Sequence, residues 1–390
     1  MLSKEELKIK NLFKIKNSEI KPPSGSFEHT LKKNDILPML IITVIYAVVA
    51  LIGLGDKTCP QSFYSLPQRG SDVIIIPTQP TKLSGCSLYS GLGENTYYFQ
   101  GSEDGINYID IGQLTPKGVF RWEKMEFYHI DTPFRALRVI VNGEMQLGEL
   151  VLYDGDGTQM PTSALTVSEN GTALFDEAET VPKKVSYRNG TYFDEVYHAR
   201  TAYEHINGIA PYEISHPPLG KLIISIGVRL FGMTPFGWRF MGALLGVLML
   251  PLLYTLLKCL FGNTLISVCG TVVFAFDFMH FVQTRIATID SYAVFFILLM
   301  YLCFYLFLRS DKLGQPAWKS RLPLALAGLF FGIGCACKWT VLYGGIGLGV
   351  LWLMHWVGRL HTEGKTAQQA FWSNVRWCLL FFVAVPLFVY

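Results

Sequence analysis

Two short stretches carry the residues best suited to chemistry: Phe193-Asp194-Glu195, and then His216-Pro217-Pro218-Leu219-Gly220-Lys221. They lie between a long polar region and a series of apolar runs. An adjacent acid pair, an imidazole and an ammonium beside a bilayer suit group transfer from a lipid-linked phosphate. A glycosyl phosphate already carries a good leaving group, so its cleavage needs no strong acid. It needs a carboxylate to take the proton of an attacking hydroxyl, and cations to hold the phosphate as negative charge builds on it. Asp194 is the candidate base, and Glu195 would orient a neighbouring cation or the acceptor.

His216, Lys221, Arg239 and Arg285 are the candidates for holding the donor phosphate. The forked guanidinium suits a phosphate better than a point charge does. Each has a plainer reading: an acid pair on a loop is usually solvated, and an Arg at the end of a span can snorkel to headgroups. Lys221, in the first turn of a helix, opposes the helix dipole, a local cost that an anionic ligand would remove. Secondary candidates are His198 and Arg200 behind the acid pair, Asp277 within an apolar run, Asp290, and Lys338. Asp290 could equally salt-bridge Arg285 or cap the next helix with Ser291. His205 has no such support, and His280 reads as a packing or interfacial residue. No Cys/His spacing suggests zinc, and Asp154-Gly155-Asp156-Gly157 lacks the rest of a calcium loop, so no metal is expected. No nucleotide-binding fingerprint is present, which fits a lipid-carried donor and no separate cofactor. The basic residues show no nucleic-acid pattern.

The elements that must position these groups are mostly membrane helices. The chain is 51% hydrophobic and only 16% charged, with the apolar residues in blocks. Ile36 to Leu54 is an apolar run of spanning length. Further runs are Phe236 to Leu257, Thr264 to Val282, Tyr292 to Leu308, Leu322 to Cys337, Thr340 to Val357 and Val375 to Tyr390. Lys4, Lys8, Lys10, Lys14, Lys16, Lys21, Lys32 and Lys33 precede the first run and place the N-terminus in the cytoplasm. Residues 55–218 are then extracytoplasmic, and the Lys/Arg-bearing segments around Lys258, Arg309 to Arg321 and Arg359 to Arg376 are inside. The first run sits too far from Met1 for a cleaved signal peptide and reads as a retained anchor. The expected organisation is a basic N-terminus (1–35), a first helix (36–54), a β domain (55–182), a catalytic loop with interfacial helices (183–235) and a multi-span domain (236–390).

The β domain is read from short runs: Val73 to Ile76, Tyr97 to Phe99, Phe120 to Phe127, Leu137 to Val141 and Glu149 to Tyr153. Glu103-Asp104-Gly105 and Asp154-Gly155-Asp156-Gly157 read as turns, and Asn142-Gly143 as the turn of a hairpin. Gly101 to Tyr108, Arg138 to Val141 and Gly148 to Tyr153 resemble a discoidin-like or carbohydrate-binding β-sandwich. In that resemblance Trp122, Phe127 and Tyr128 either stack on sugars or fill the sandwich core. Cys59 and Cys86 are the only cysteines outside apolar runs and could pair in an oxidising compartment. Asn170-Gly171-Thr172 and Asn189-Gly190-Thr191 are sequons for a host that glycosylates them.

From Tyr192 to Trp339 the chain resembles the protein O-mannosyltransferase family of membrane glycosyltransferases. The resemblance is carried, in order, by Phe193 to His198, His216 to Lys221, Trp238-Arg239-Phe240-Met241-Gly242, Thr284 to Asp290 and Lys338-Trp339. It implies a polytopic, mainly α-helical membrane protein of the GT-C type, into which the extracytoplasmic β-sandwich read above is inserted. It also implies transfer of a sugar, mannose above all, from a polyprenyl-phosphate carrier to a Ser or Thr hydroxyl of exported proteins. The leading acid of the motif is the catalytic one in that family, which favours Asp194 over Glu195. Transfer would invert the anomeric centre through an oxocarbenium-like state. The expected partners are membrane lipid, the lipid-linked sugar, and an acceptor protein or glycan. A β domain in this loop departs from the eukaryotic layout and suits a bacterial member. The alternatives are the same fold moving another sugar to lipid or cell-wall glycan, and a carbohydrate-binding membrane receptor. Tyr390 falls inside an apolar run, and the family carries further helices, so the chain is expected to hold the catalytic half of a longer enzyme or of a truncated gene product.

Overall fold

A computed structural model describes residues 29–129, 131–167, 171–312, 317–363 and 365–389. The lysines before residue 29 and Asn170 of the first sequon therefore lie outside the described residues. The chain opens with helix α1 (Lys33–Leu51), in which Pro38 is tolerated near the start. Ten strands follow: β1 (Tyr64–Leu66), β2 (Asp72–Pro77), β3 (Thr81–Ser90), β4 (Tyr97–Ser102), β5 (Ile109–Leu114), β6 (Arg121–Glu126), β7 (Pro133–Phe134), β8 (Ala136–Val141), β9 (Met145–Asp154) and β10 (Leu165–Val167). They form two antiparallel sheets, ordered β1-β9-β3-β6 (with β7 on β3) and β10-β2-β8-β4-β5.

The space between the sheets is filled by alternate residues of both, among them Val73, Leu88, Phe99, Val139, Leu150 and Leu152. The outer face of the first sheet is also covered. Tyr89, Trp122 and Val151 join a second core with Ala199, Ala202, Ile224, Val228 and Trp238 from the helices below. That double burial explains why β3 and β9 read as nearly unbroken buried runs rather than alternating ones. It also decides the aromatics: Trp122 and Phe127 are core residues and only Tyr128 is exposed.

Two turns behave as read. Asp104 accepts hydrogen bonds from the amides of Ile106 and Asn107 between β4 and β5, and Asp154 does so from Asp156 and Thr158. Asn142-Gly143 is a correction. β8 pairs with β2 and β4, whereas β9 pairs with β1 and β3. The pair therefore carries the chain from one sheet to the other and closes no hairpin. Cys59 and Cys86 are unpaired: Cys59 Sγ donates to the Met233 carbonyl at 2.9 Å, and Cys86 lies in the inter-sheet core.

The remainder is helical: α2 (Glu195–Asn207), α3 (Leu219–Phe231), α4 (Pro235–Phe261), α5 (Thr264–Ala275), α6 (Phe278–Thr284), α7 (Asp290–Lys312), α8 (Ala317–Cys337), α9 (Val341–Glu363), α10 (Lys365–Leu379) and, after a π-helical stretch, α11 (Val385–Val389). Among the described residues five helical segments are long and apolar enough to cross a membrane, or six with the α5–α6 pair taken as one. That pair is bent by 59°, so the run from Thr264 to Val282 is not one straight span. The break falls at Asp277, whose carboxylate caps α6 by accepting from the His280 amide at 2.9 Å. Gly242 and Gly246 let α4 approach the Thr284–Ile286 backbone, since a Cβ at Gly246 would sit 2.6 Å from the Thr284 side chain. At the opposite end of α1, buried Asp35 ties that helix to α4 through Lys258 at 3.1 Å.

Candidate active site

The end of α1, the Tyr187–Glu195 segment, the start of α4 and the Thr284–Asp290 loop meet at one end of the helices. Glu195 and Arg239 join them. Arg239 Nε and Nη2 donate to Glu195 Oε1 and Oε2, each at 2.6 Å. Nη1 reaches the carbonyl of Leu54 at 3.0 Å, and Nη2 is also within reach of those of Tyr187 at 2.8 Å and Gly190 at 3.2 Å. Glu195 also accepts from the Ala287 amide at 3.0 Å and the Tyr192 amide at 3.3 Å. Both side chains are buried, at 0% and 1% exposure. Glu195, read as orienting a neighbouring cation or the acceptor, is paired with the Arg239 guanidinium. Arg239, read as a phosphate ligand, binds protein groups through Nε, Nη1 and Nη2 and also lines the cleft that Arg285 borders.

Lys221 is likewise engaged. Its ammonium donates to the carbonyls of Glu213 and His216, both at 2.9 Å, and to the Glu213 carboxylate. Those bonds use all three protons of a 1%-exposed group, leaving none for a phosphate. Glu213 was not singled out from the sequence, although it lies three residues before His216. Burial alone would raise its pKa, but hydrogen bonds from Lys221, Ser215 and His216 overcome that and hold it at about 2. His216 pairs with Glu213 at 3.1 Å and remains partly exposed. Arg200 turns away to Glu204 and Glu94, both at 2.8 Å. His198 is buried with Nδ1 unpartnered, and burial pushes it down to about 4.

Two groups remain open for chemistry. The first is Asp194, half-buried at the start of α2, whose carboxylate has no hydrogen-bond partner among the described residues. Burial raises its pKa, the Asp290 charge adds to that, and Lys338 and His216 oppose it. Asp290 pairs with Lys338 at 2.5 Å rather than with Arg285. The structure thus brings Asp194, His216, Asp290 and Lys338 into one electrostatic group. Such a carboxylate is more basic than a solvated one, which suits proton abstraction from a hydroxyl.

The second is Arg285. Its Nη2 donates to the Ile52 carbonyl at 2.7 Å, and its guanidinium lies 4.6 Å over the Phe281 ring. Its Nε is buried without a partner. It borders a cleft of about 190 Å³ with Gly53, Tyr187, Tyr192 and Ile286. A buried guanidinium N–H without a partner is costly, and an anionic oxygen would satisfy it. Tyr187 and Tyr192 were missed from sequence, where nothing marks them from other aromatics.

Parts of the chain are similar to known proteins. The sequence model described as dolichyl-phosphate-mannose-protein mannosyltransferase matches residues 233–390. A polyprenol-phosphate-mannose–protein mannosyltransferase of Mycobacterium tuberculosis is 29% identical over 172 residues, 39% of this chain and 33% of that protein. One of Mycolicibacterium smegmatis is 30% identical over 184 residues, 42% of this chain and 36% of that protein. The chain thus spans about a third of the length of these relatives. A solved S. cerevisiae protein O-mannosyltransferase Pmt1-Pmt2 complex bound to the sugar donor aligns over 51% of this chain and 29% of that chain, with 22% identity and a TM-score of 0.45. The family match and the long apolar helices identify an integral membrane protein. Over residues 233–390, less than half of its length, the chain is similar to the dolichyl-phosphate-mannose-protein mannosyltransferase family.

Proposed function

We propose that this protein is a glycosyltransferase that moves mannose from a polyprenyl-phosphate carrier to a Ser or Thr hydroxyl of an exported protein. The observation that carries this reading is the unpartnered, half-buried Asp194 carboxylate, held above its ordinary pKa beside His216, Asp290 and Lys338. Asp194 takes the acceptor hydroxyl proton as the oxygen attacks the sugar anomeric carbon. The carbon–phosphate oxygen bond breaks on the opposite side, so the centre inverts. Arg285, across the Tyr187–Tyr192 cleft, stabilises the departing lipid phosphate as its charge develops. Glu195 and Arg239 position these groups without touching the reacting atoms. The sugar and lipid phosphate come from the donor, so the step as written uses no separate cofactor. The Lys-rich N-terminus supports a cytoplasmic start, which puts this face of the helices and the β domain outside the membrane.

The test is to incubate the full chain in lipid nanodiscs with polyprenyl-phosphate mannose and a Ser/Thr peptide library, then identify products by mass spectrometry. A hexose added to hydroxyl residues with release of polyprenyl phosphate is expected. Donor cleavage without peptide product would overturn the assigned acceptor, and an untouched donor would overturn the assigned reaction.

A further inference from the structure

Between the cleft residue Tyr192 and the acid Asp194 stands Phe193, whose backbone is in the left-handed region at φ 53°. Phe120 and His129 share that sign among the described residues, but they lie in the β domain. An L-residue pays for this conformation in close approach of Cβ to a carbonyl oxygen. Core packing does not explain it, because the Phe193 side chain is 62% exposed. What the conformation does explain is the divergence of its neighbours. Tyr192 lines the cleft with Arg285. Asp194 begins α2 and faces the His216, Asp290 and Lys338 charges. Glu195, one residue on, is already inside the helix and bound to Arg239. The first turn closes tightly around Phe193, with the Glu195 amide on the Tyr192 carbonyl and the Val196 amide on the Phe193 carbonyl, each at 3.2 Å.

We propose that the left-handed turn at Phe193 is a positioning device for transfer. It sends one neighbour to the phosphate cleft and the other to the proton-accepting cluster, and the backbone conformation, not the aromatic ring, is what the reaction requires. Backbone strain held next to a reacting group is where such pre-organisation is expected. The inference rests on Asp194 being the base, as proposed above.

Glycine and a β-branched residue separate the two possibilities, because glycine adopts a positive φ freely and isoleucine resists it. Phe193→Gly should keep kcat within about threefold of wild type, whereas Phe193→Ile should lower kcat roughly tenfold or more with donor KM changed less than about threefold. The exposed side chain loses few contacts, so the glycine variant should melt at or above the wild-type midpoint and the isoleucine variant below it, with kinetics read where both are folded. A second readout needs no turnover. In an Asp194→Cys background, the introduced thiol is alkylated with a membrane-impermeant maleimide. Adding Phe193→Gly should leave that rate unchanged, and adding Phe193→Ile should change it about threefold or more. Equal alkylation in all three backgrounds, or a glycine variant as impaired as the isoleucine one, would overturn the inference. Absence of transfer by the wild type would instead count against the proposed reaction, and the alkylation rates would still decide the role of Phe193.

Discussion

Replacing Arg239 by alanine should unfold this face of the molecule rather than merely weaken donor binding. The guanidinium makes paired bonds to Glu195, both at 2.6 Å, and holds carbonyls from two further segments, Leu54 at 3.0 Å and Tyr187 at 2.8 Å. Without it the Glu195 carboxylate, wholly buried, keeps only the Ala287 and Tyr192 amides. Removing one partner of a buried ion pair costs about 3–5 kcal/mol, because the other charge is left without compensation. Against native stabilities of roughly 5–15 kcal/mol, that is a large fraction. The assay is thermal unfolding of the solubilised chain, followed by intrinsic tryptophan fluorescence, for Arg239→Ala, Glu195→Ala and the double variant Glu195→Gln with Arg239→Met. The two single variants should be destabilised by similar amounts. The double variant should lose less than either, since it buries no lone charge, and the energies should be strongly non-additive. A normal melt for Arg239→Ala together with lost donor affinity would refute the reasoning and return Arg239 to the phosphate.

Arg285→Ala should behave oppositely, keeping its melting temperature and losing about 1.5–3 kcal/mol of donor affinity, as for one charged hydrogen bond, in a polyprenyl-phosphate binding assay. Because Asp194 must be ionised to act as base and its pKa is raised, the rate should fall with decreasing pH at a higher pH than an ordinary aspartate, near about 3.9, would dictate. Asp290→Asn removes a neighbouring negative charge and should move that limb to lower pH in a pH–rate profile. In the β domain, burial, with Asp176, Glu177 and Glu179 nearby, raises Glu149 to about 8. Its folded pKa exceeds the unfolded one, so the stability from burying the neutral acid is full below the unfolded pKa and lost as pH rises through about 8. Glu149→Gln should therefore flatten the fall in melting temperature between acidic and alkaline buffers.

Much of the fold was legible because membrane helices announce themselves by composition: the apolar runs read from the sequence fall mainly on helical residues, although Thr264 to Val282 and Val375 to Val389 are each divided between helical segments. The bend at Asp277 was hidden, since a single acid inside an apolar run does not say whether it faces a site or caps a helix. Strand β3, with Gly85, Cys86, Ser87 and Tyr89, was missed because both its faces are buried and no period-two pattern survives. Asn142-Gly143 misled because turn chemistry is local, whereas the choice of pairing partner is set by the sheets.

At the site, the residue types were readable but their duties were not. Lys221 and Arg239 look like phosphate ligands until Glu213 and Glu195 are placed against them, and those contacts join residues 8 and 44 positions apart. Asp194 and Arg285 kept open functional groups, a property that depends on which neighbours fail to reach them. The sign of φ at Phe193 has no signature in the residue type, since an aromatic is a poor choice for that region.

The central claim is that Asp194 is the base. Its most direct test is single-turnover transfer of mannose from polyprenyl phosphate to a Ser/Thr peptide, with wild type and Asp194→Asn compared at saturating donor. The account predicts that the variant binds donor and melts like wild type but loses transfer by about a hundredfold or more. Transfer at the wild-type rate by Asp194→Asn would contradict it.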